Sequence, residues 1–167
     1  SELGLTGGRV PNVDASTAMP RYRAVHGLMG QRALSACHDC SDGGLAVALA
    51  EMCIGGRLGA NIDLDAVPAM EDMTLTELLY SESASRLIVS VRPDLAMILD
   101  MLGSWQICRR IGTVTDDNTL TMTSFEIVGD TVTVRRWSAE GQHALKYPGQ
   151  WNLVKLGSSA YEKMSLG

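Results

Sequence analysis

The chain has 167 residues, of which 46% are hydrophobic and 20% charged, and its formal net charge is −5. This length suits one domain with a buried core and is short for two. No run of 18 apolar residues and no basic N-terminus followed by an apolar stretch is present, which argues against a membrane partner and a secretory signal. An acidic balance without a basic block argues against nucleic-acid binding. Four cysteines in a chain of this size favour a reducing cytoplasm over a secreted disulfide framework.

The N-terminal segment, residues 1–15, is rich in glycine and has no periodic pattern. Its composition predicts a loop, which we interpret as a linker that continues from an earlier domain. Ser16 or Thr17 is then expected to cap a helix that has Pro20 near its first turn and runs to about Arg32.

A short buried strand is predicted over residues 33–37, followed by an apolar helix over 43–54. That helix carries only Glu51 as a charged residue, so it is expected to be deeply buried on nearly all sides. The sequence RLGANIDLD alternates as a strand does, and its apolar positions share one face: Leu58, Ala60, Ile62 and Leu64.

Strands and helices continue to alternate along the rest of the chain. TLTELLYS predicts a short helix, SRLIVSV a strand, PDLAMILDMLG a helix, and WQICRRIGTVT a strand that bends near Gly112. NTLTMTSFEIVGDTVTVRRW predicts β segments joined by a hairpin turn at Gly129 and Asp130. One helical turn is predicted near residues 139–146.

This order of elements predicts an α/β or α+β two-layer sandwich, in which helices pack on a mixed β-sheet. We assign the domain to residues 16–138 and treat 139–167 as a C-terminal extension.

The sequence SACHDCSDGGLAVALAEM joins a C-x-x-C to the start of an apolar helix. Such a layout is found in dithiol oxidoreductases, because a helix N-terminus lowers thiol pKa values. Here Cys40 lies a turn outside the helix, and Asp39 and Asp42 would raise the thiol pKa values, which disfavours that chemistry. A metal site is weaker still, because Cys37, His38 and Cys40 are too close together to ligate jointly. We interpret the cysteines as small core residues.

The glycines of the same turn allow two further interpretations. Gly43 and Gly44 open the apolar helix, whose unpaired N–H groups and dipole could cradle a phosphate or another anion. Asp42 could instead accept those N–H groups as an N-cap, which would leave a capped turn that packs a helix on a sheet.

The second candidate site is YSESASR, between a short helix and a buried strand. Glu82, Ser83 and the neighbouring serines could bind a polyhydroxylated or phosphorylated ligand, with Arg86 as its anion partner. Alternatively, Glu82 and Arg86 pair with each other while the serines cap and turn.

Four segments resemble, in order and spacing, the last domain of the phosphoribosylformylglycinamidine synthases, which belong to the PurM-like superfamily. These segments are GGRVPNVD, SACHDCSDGGLAVALAEM, RLGANIDL and LLYSESASRLIVSVRP. The family usually has HDVSDGGL at the first turn and LFSESxSR at the second motif. The resemblance is strong over residues 7–115 and weak beyond residue 138.

The resemblance implies a PurM-like C-terminal domain of an ATP-dependent carbon–nitrogen ligase of purine biosynthesis. Such enzymes convert an amide to an amidine with ammonia from glutamine. They bind ATP and Mg²⁺ mainly on N-terminal domains, and their catalytic residues lie in segments absent here, so this chain is expected to be inactive alone. The implied partners are the missing N-terminal synthetase domains, a glutaminase subunit and a small accessory subunit, in the cytoplasm.

By analogy with the family's first half, whose motif is S-E-S-Q-E-R, the resemblance also implies a phosphate or substrate cleft. Its residues here would be Asp39, Ser41, Asp42, Gly43, Gly44, Glu82, Ser83 and Arg86. Ala84 stands where that motif has glutamine, and Ser41-Asp42-Gly43-Gly44 where the active half has a more apolar turn, which favours a structural nucleotide-binding role over catalysis. Cys40 stands where the family has valine, so the cysteines are interpreted as incidental to function. On this interpretation Asp42 caps the helix and shapes the mouth of the cleft. The alternatives are a docking module without a ligand and another PurM-like ATP-dependent kinase or synthetase.

Overall fold

The structure is a computed structural model that describes residues 12–69, 73–97, 108–128, 131–138, 141–148, 151–156 and 160–165. Among these residues three helices alternate with the first three strands, and six further strands are described after residue 107. In chain order they are α1 (Ala15–Gly30), β1 (Leu34–Asp39), α2 (Gly44–Gly56), β2 (Gly59–Asp63), α3 (Leu75–Tyr80), β3 (Leu87–Val91), β4 (Gly112–Thr115), β5 (Leu120–Val128), β6 (Thr131–Ser138), β7 (Gly141–Pro148), β8 (Trp151–Leu156) and β9 (Ala160–Ser165). Short 3-10 turns span Leu64–Ala66 and Pro93–Leu95.

The strands form three sheets. The largest has the order β4-β2-β5-β6-β7 and is mixed, because β2 is antiparallel to β4 and parallel to β5. A separate antiparallel pair joins β1 to β3, and β8 pairs with β9. This arrangement confirms the expected α/β fold with a mixed sheet.

The core lies where α2 and α3 meet β2 and β3. Its largest members are buried leucines and isoleucines from these four elements: Leu45, Leu49, Ile62, Leu78, Leu79 and Ile88. In β2 the prediction of one apolar face is confirmed at Ala60 and Ile62 and continues into the turn at Leu64, but Leu58 is exposed and precedes the strand.

The prediction that α2 is buried on nearly all sides is wrong. Val47 is exposed, and the side chain of Ile54 is 75% exposed. The reason is that α2 packs on the core with one side only, so an apolar composition does not guarantee apolar surroundings.

Helix α1 begins two or three residues earlier than predicted and has a different cap. Asp14 accepts hydrogen bonds from the backbone N–H of Ser16 at 2.9 Å and from its hydroxyl at 2.7 Å. The helix ends at Gly30, and Pro20 lies within it as the sixth residue. The Asp14 carboxylate thus caps α1, and its negative charge lies at the positive end of the helix dipole.

Among the elements predicted after residue 92, some lie partly or wholly outside the described residues and one is wrong. The helix expected from Pro93 begins as a 3-10 turn, and its continuation lies outside the described residues. Gly129 and Asp130 also lie outside them, although β5 and β6 pair antiparallel from Val128 opposite Thr131. The helical turn predicted near residues 139–146 is wrong, because β7 runs through it and pairs with β6. No helix among the described residues combines the length and hydrophobicity that crossing a bilayer would require.

Candidate functional site

The two sequence motifs meet at one end of the β1–β3 pair. Asp39, the last residue of β1, lies opposite Leu87, the first residue of β3. Just beyond, the N–H of Cys40 donates to the carbonyl of Arg86 at 3.0 Å, and the N–H of Gly43 donates to a carboxylate oxygen of Glu82 at 3.0 Å. The structure thus joins two segments that lie some forty residues apart in the chain.

The glycines of the first motif are required by the backbone. Gly43 and Gly44 have φ values of +80° and +65°, a region that side chains disfavour. A Cβ on Gly44 would lie 2.8 Å from the carbonyl oxygens of Leu79 and Ser81. The start of α2 therefore packs directly against the backbone at the end of α3.

Asp42 does not cap α2, and that prediction is wrong. The N-cap position is Gly43, and the acceptor that reaches its N–H is Glu82 of the second motif. Asp42 is exposed to solvent. The carboxylate at the positive end of the α2 dipole is therefore that of Glu82, from another segment, and not that of Asp42, which the sequence predicted.

Arg86 supports the end of α3. Its guanidinium is half-buried and donates to the carbonyl of Ser81 at 3.2 Å, to the Ser81 hydroxyl at 3.1 Å and to the carbonyl of Leu78 at 3.4 Å. These are the last carbonyl groups of a helix, which lack partners within it. Because Glu82 faces Gly43 instead, the local ion pair expected between Glu82 and Arg86 does not form.

The remaining candidate residues form an open rim. Asp39, Ser41, Asp42 and Ser83 are all exposed around the Gly43–Glu82 contact, while Gly44 is buried beneath it. The eight predicted site residues therefore share one end of the domain, where Glu82 and four others are exposed to solvent.

Two contacts near this rim were not predicted. The hydroxyl groups of Tyr22 in α1 and Ser85 are 2.7 Å apart, and Ser85 has a φ of +67°. His38 Nε2 lies 3.3 Å from a carboxylate oxygen of Glu51, which ties β1 to α2. Both contacts join residues that are distant in sequence, so no local pattern indicates them.

The cysteines have the character of core thiols. Burial raises the pKa of Cys37, and the nearby Asp39 carboxylate raises it further. Burial also raises the pKa of Cys40, where Arg86 opposes and Asp39 adds to the effect. Since the thiolate is the reactive form, raised pKa values disfavour dithiol chemistry at this C-x-x-C. In the part of the chain that the structure describes, no three His, Cys, Asp or Glu side chains are grouped to hold a metal.

A cavity of about 460 Å³ lies away from the rim, beside the second half of α2. Mainly apolar side chains line it, from α2, the turns before β2 and β5, and the start of β5: Ala50, Cys53, Ile54, Arg57, Leu58, Asn118 and Leu120. Because α2 has 13 residues, about 20 Å separate its two ends, so this cavity is not part of the rim.

Known proteins resemble this chain over most of the described domain. The PurL subunit of phosphoribosylformylglycinamidine synthase from Thermobifida fusca is 40% identical over 115 residues, which cover 66% of this chain and 14% of that protein. Synechocystis PurL is 42% identical over 87 residues, or 52% of this chain and 11% of that protein. This chain thus spans about a seventh or less of these relatives.

Solved structures of Thermotoga maritima PurL share the fold. PurL complexed with FGAR matches with a TM-score of 0.61 and 18% identity, covering 98% of this chain and 27% of that one. The PurLQS structure from the same organism matches with a TM-score of 0.59 and 19% identity over 99% of this chain and 27% of that one. PurL complexed with ATP matches with a TM-score of 0.55 and 17% identity over 90% of this chain and 26% of that one.

The family assignment comes from the sequence itself. The family described as AIR synthase related protein, C-terminal domain, matches residues 2–124, which include α1 to β4 and both motifs of the rim. Fold, motifs and relatives agree, and this chain therefore belongs to the C-terminal domain family of the AIR synthase related proteins.

Proposed function

We propose that this chain serves as the C-terminal domain of an ATP-dependent phosphoribosylformylglycinamidine synthase of purine biosynthesis. The observation that carries the proposal is the joining of HDCSDGGL and SESASR by the Gly43–Glu82 hydrogen bond. The PurL proteins to which this chain is similar give this junction its biochemical context.

On this proposal the rim is one wall of a ligand cleft whose other wall belongs to a preceding synthetase domain. The proposed ligand-binding residues are Asp39, Ser41, Asp42, Gly43, Gly44, Glu82, Ser83 and Arg86. Their exposed hydroxyl and carboxylate groups suit the hydroxyl groups of a ribonucleotide. Arg86 would act through the backbone it supports, because its N–H groups already point at the α3 carbonyls.

The reaction belongs to the assembled enzyme. ATP and Mg²⁺ would be held mainly on domains outside this chain, and a glutaminase would supply ammonia in a cytoplasmic complex that also contains a small accessory subunit. This division of labour is consistent with the PurL structures that contain ATP and with the PurLQS assembly. The contribution of this chain would be to bind and position, and it would be inactive alone.

A chimera tests the proposal. The matching 115-residue region of T. fusca PurL is replaced by the corresponding residues of this chain, and ATP-dependent conversion of FGAR is measured with ammonia as nitrogen donor. We expect kcat/KM within about tenfold of the parent, since binding surfaces and not reacting groups are exchanged. The shortened T. fusca protein without any replacement is the inactive control. A folded chimera without activity would contradict the proposal.

A further inference from the structure

Helix α1 carries a mostly apolar stripe, which includes one histidine, on its exposed side. Met19, Tyr22, His26 and Met29 are spaced by three, four and three residues, so they lie along one face of the helix. The side chains of Met19, Tyr22 and Met29 are 44%, 40% and 51% exposed. We call these four residues the α1 stripe.

The α1 stripe is not the face that holds the helix to the domain. Ala18 and Leu28 are buried on the neighbouring face and anchor α1 to the rest of the chain. Apart from the Tyr22 hydroxyl, which bonds Ser85, the stripe therefore adds exposed area that the domain does not cover. Contiguous apolar surface of this kind marks an interaction site more often than isolated exposed residues do.

Charge distinguishes α1 from the rest of the chain. The segment Ala15–Gly30 contains Arg21 and Arg23 and no acidic residue, whereas the whole chain has a net charge of −5. Arg23 is exposed and borders the stripe, whereas the half-buried Arg21 lies on another face of α1. A surface that covers the stripe would therefore bear apolar side chains with a carboxylate that faces Arg23, because opposite charges steer association and fix its register.

The position of the stripe links it to the rim. Tyr22 is a member of the stripe, and its hydroxyl bonds Ser85 in the loop of the second motif at 2.7 Å. A partner on the stripe would thus lie beside that loop, where the missing wall of the proposed cleft must stand. The relatives are about seven or more times longer than the region they share with this chain, so they contain the protein needed to supply that wall.

We infer that the α1 stripe is the docking surface for the preceding synthetase domain, which presents an apolar strip with an acidic side chain that faces Arg23. This inference rests on the proposed function, since it names the surface through which that partner is held. Docking there also closes the cleft next to Ser83 and Ser85.

Binding in trans tests the inference. T. fusca PurL, shortened by the region that matches this chain, is titrated with the full 167-residue chain, and Kd is measured by calorimetry. The variant Met19→Lys/Met29→Lys is expected to bind about tenfold or more weakly, because two apolar contacts are replaced by desolvated charges. Arg23→Glu is expected to weaken binding at low salt, and wild-type affinity to fall as salt rises from about 50 to about 300 mM.

The control is Ile54→Lys/Met97→Lys, which changes two apolar residues outside α1 that are 75% and 77% exposed, more than Met19 and Met29. Circular dichroism of each variant checks that lysine, a good helix former, leaves the fold intact. Unchanged binding by the stripe variant, or a loss of binding confined to the control variant, would overturn the inference. If the chimera is active in that case, the proposed function still stands. An inactive chimera together with no binding by the wild-type chain would overturn both.

Discussion

The carboxylate of Glu82 replaces the capping residue that the sequence around α2 indicates. It accepts a hydrogen bond from the N–H of Gly43 and comes from a loop beyond α3. Asp42 is adjacent to the helix and chemically suited to the task, yet it points to solvent. Local sequence identifies residue types that can cap, but the choice among them depends on which segment the fold brings to the helix end.

Because Glu82 and not Asp42 faces the start of α2, replacing each of these acidic residues by alanine should change the stability by a different amount. Glu82→Ala should lower the free energy of unfolding by about 1 kcal/mol, because it removes both an acceptor and a charge from the α2 N-terminus. Asp42→Ala should change it by less than about 0.5 kcal/mol, as for other exposed positions. Urea denaturation of the 167-residue chain measures both. A larger loss of unfolding free energy for Asp42→Ala than for Glu82→Ala would show that Asp42 is the cap of α2.

The partner of Arg86, a predicted binding residue, could not be predicted from local sequence either. The spacing of YSESASR permits either a ligand contact or an ion pair with Glu82, and sequence alone keeps both open. In the structure the guanidinium is engaged by the carbonyl groups at the end of α3. Backbone acceptors have no sequence signature, which is why this partner could not be predicted.

At the scale of elements, the contact between α2 and α3 depends on a glycine. Gly44→Ala combines a positive φ with a Cβ 2.8 Å from two backbone oxygens, so α2 and α3 must move apart. We expect it to cost about 2 kcal/mol or more.

The control for this substitution lies in the same helix. Gly55→Ala has no atom within 4 Å of the added Cβ and should stabilise the chain by about 0.5 to 1 kcal/mol through helix propensity. Thermal or urea denaturation of the two variants compares them. Equal changes in the free energy of unfolding for the two variants would show that α2 and α3 leave room for a side chain at position 44.

Helix α3 carries a pH-dependent cap. Thr74 Oγ1 accepts from the Glu77 N–H at 3.3 Å, and the Glu77 carboxylate accepts from the Thr74 hydroxyl and N–H at 2.6 and 2.8 Å. These hydrogen bonds, the hydroxyl first, hold the pKa of Glu77 below its ordinary value of 4.5. A depressed pKa stabilises the folded form above pH 4.5, and that contribution is lost as the pH falls below this value.

Glu77→Gln should therefore flatten the acid limb of the stability profile. The measurement is urea denaturation at steps from pH 7 to about pH 3. Asp116→Asn, which neutralises an exposed carboxylate, is the matched control and should leave the slope as in the wild type. A variant profile parallel to that of the wild type throughout would exclude a role for this carboxylate in acid unfolding.

For the whole molecule, patterns of period two and 3.6 predicted the class of fold and most element positions. They failed where burial or pairing depends on distant partners. Ile54 is apolar yet exposed, and residues 141–148 form β7 because β6 offers a free edge for pairing. The joining of the two motifs was likewise beyond local patterns, since it requires β1 and β3 to be neighbours.

The openness of the rim leads to a prediction for the isolated chain. Ligand sites usually bury most of the ligand's surface, whereas Asp39, Ser41, Asp42 and Ser83 line one exposed wall. A ligand that contacts one wall gains too little to offset its lost freedom, so affinity should be low. Thermal denaturation with about 1 mM FGAR, ADP or ATP with Mg²⁺ should shift Tm by less than about 1 °C.

The chimera with T. fusca PurL supplies the comparison for that experiment. There the same ligands should raise Tm by several degrees, since stabilisation grows with the ratio of ligand concentration to Kd. Ser83→Ala should reduce the shift in the chimera and leave the isolated chain unchanged. A large shift in the isolated chain, removed by Ser83→Ala, would mean that the rim binds its ligand without a second wall. The domain would then act as a binding module in its own right.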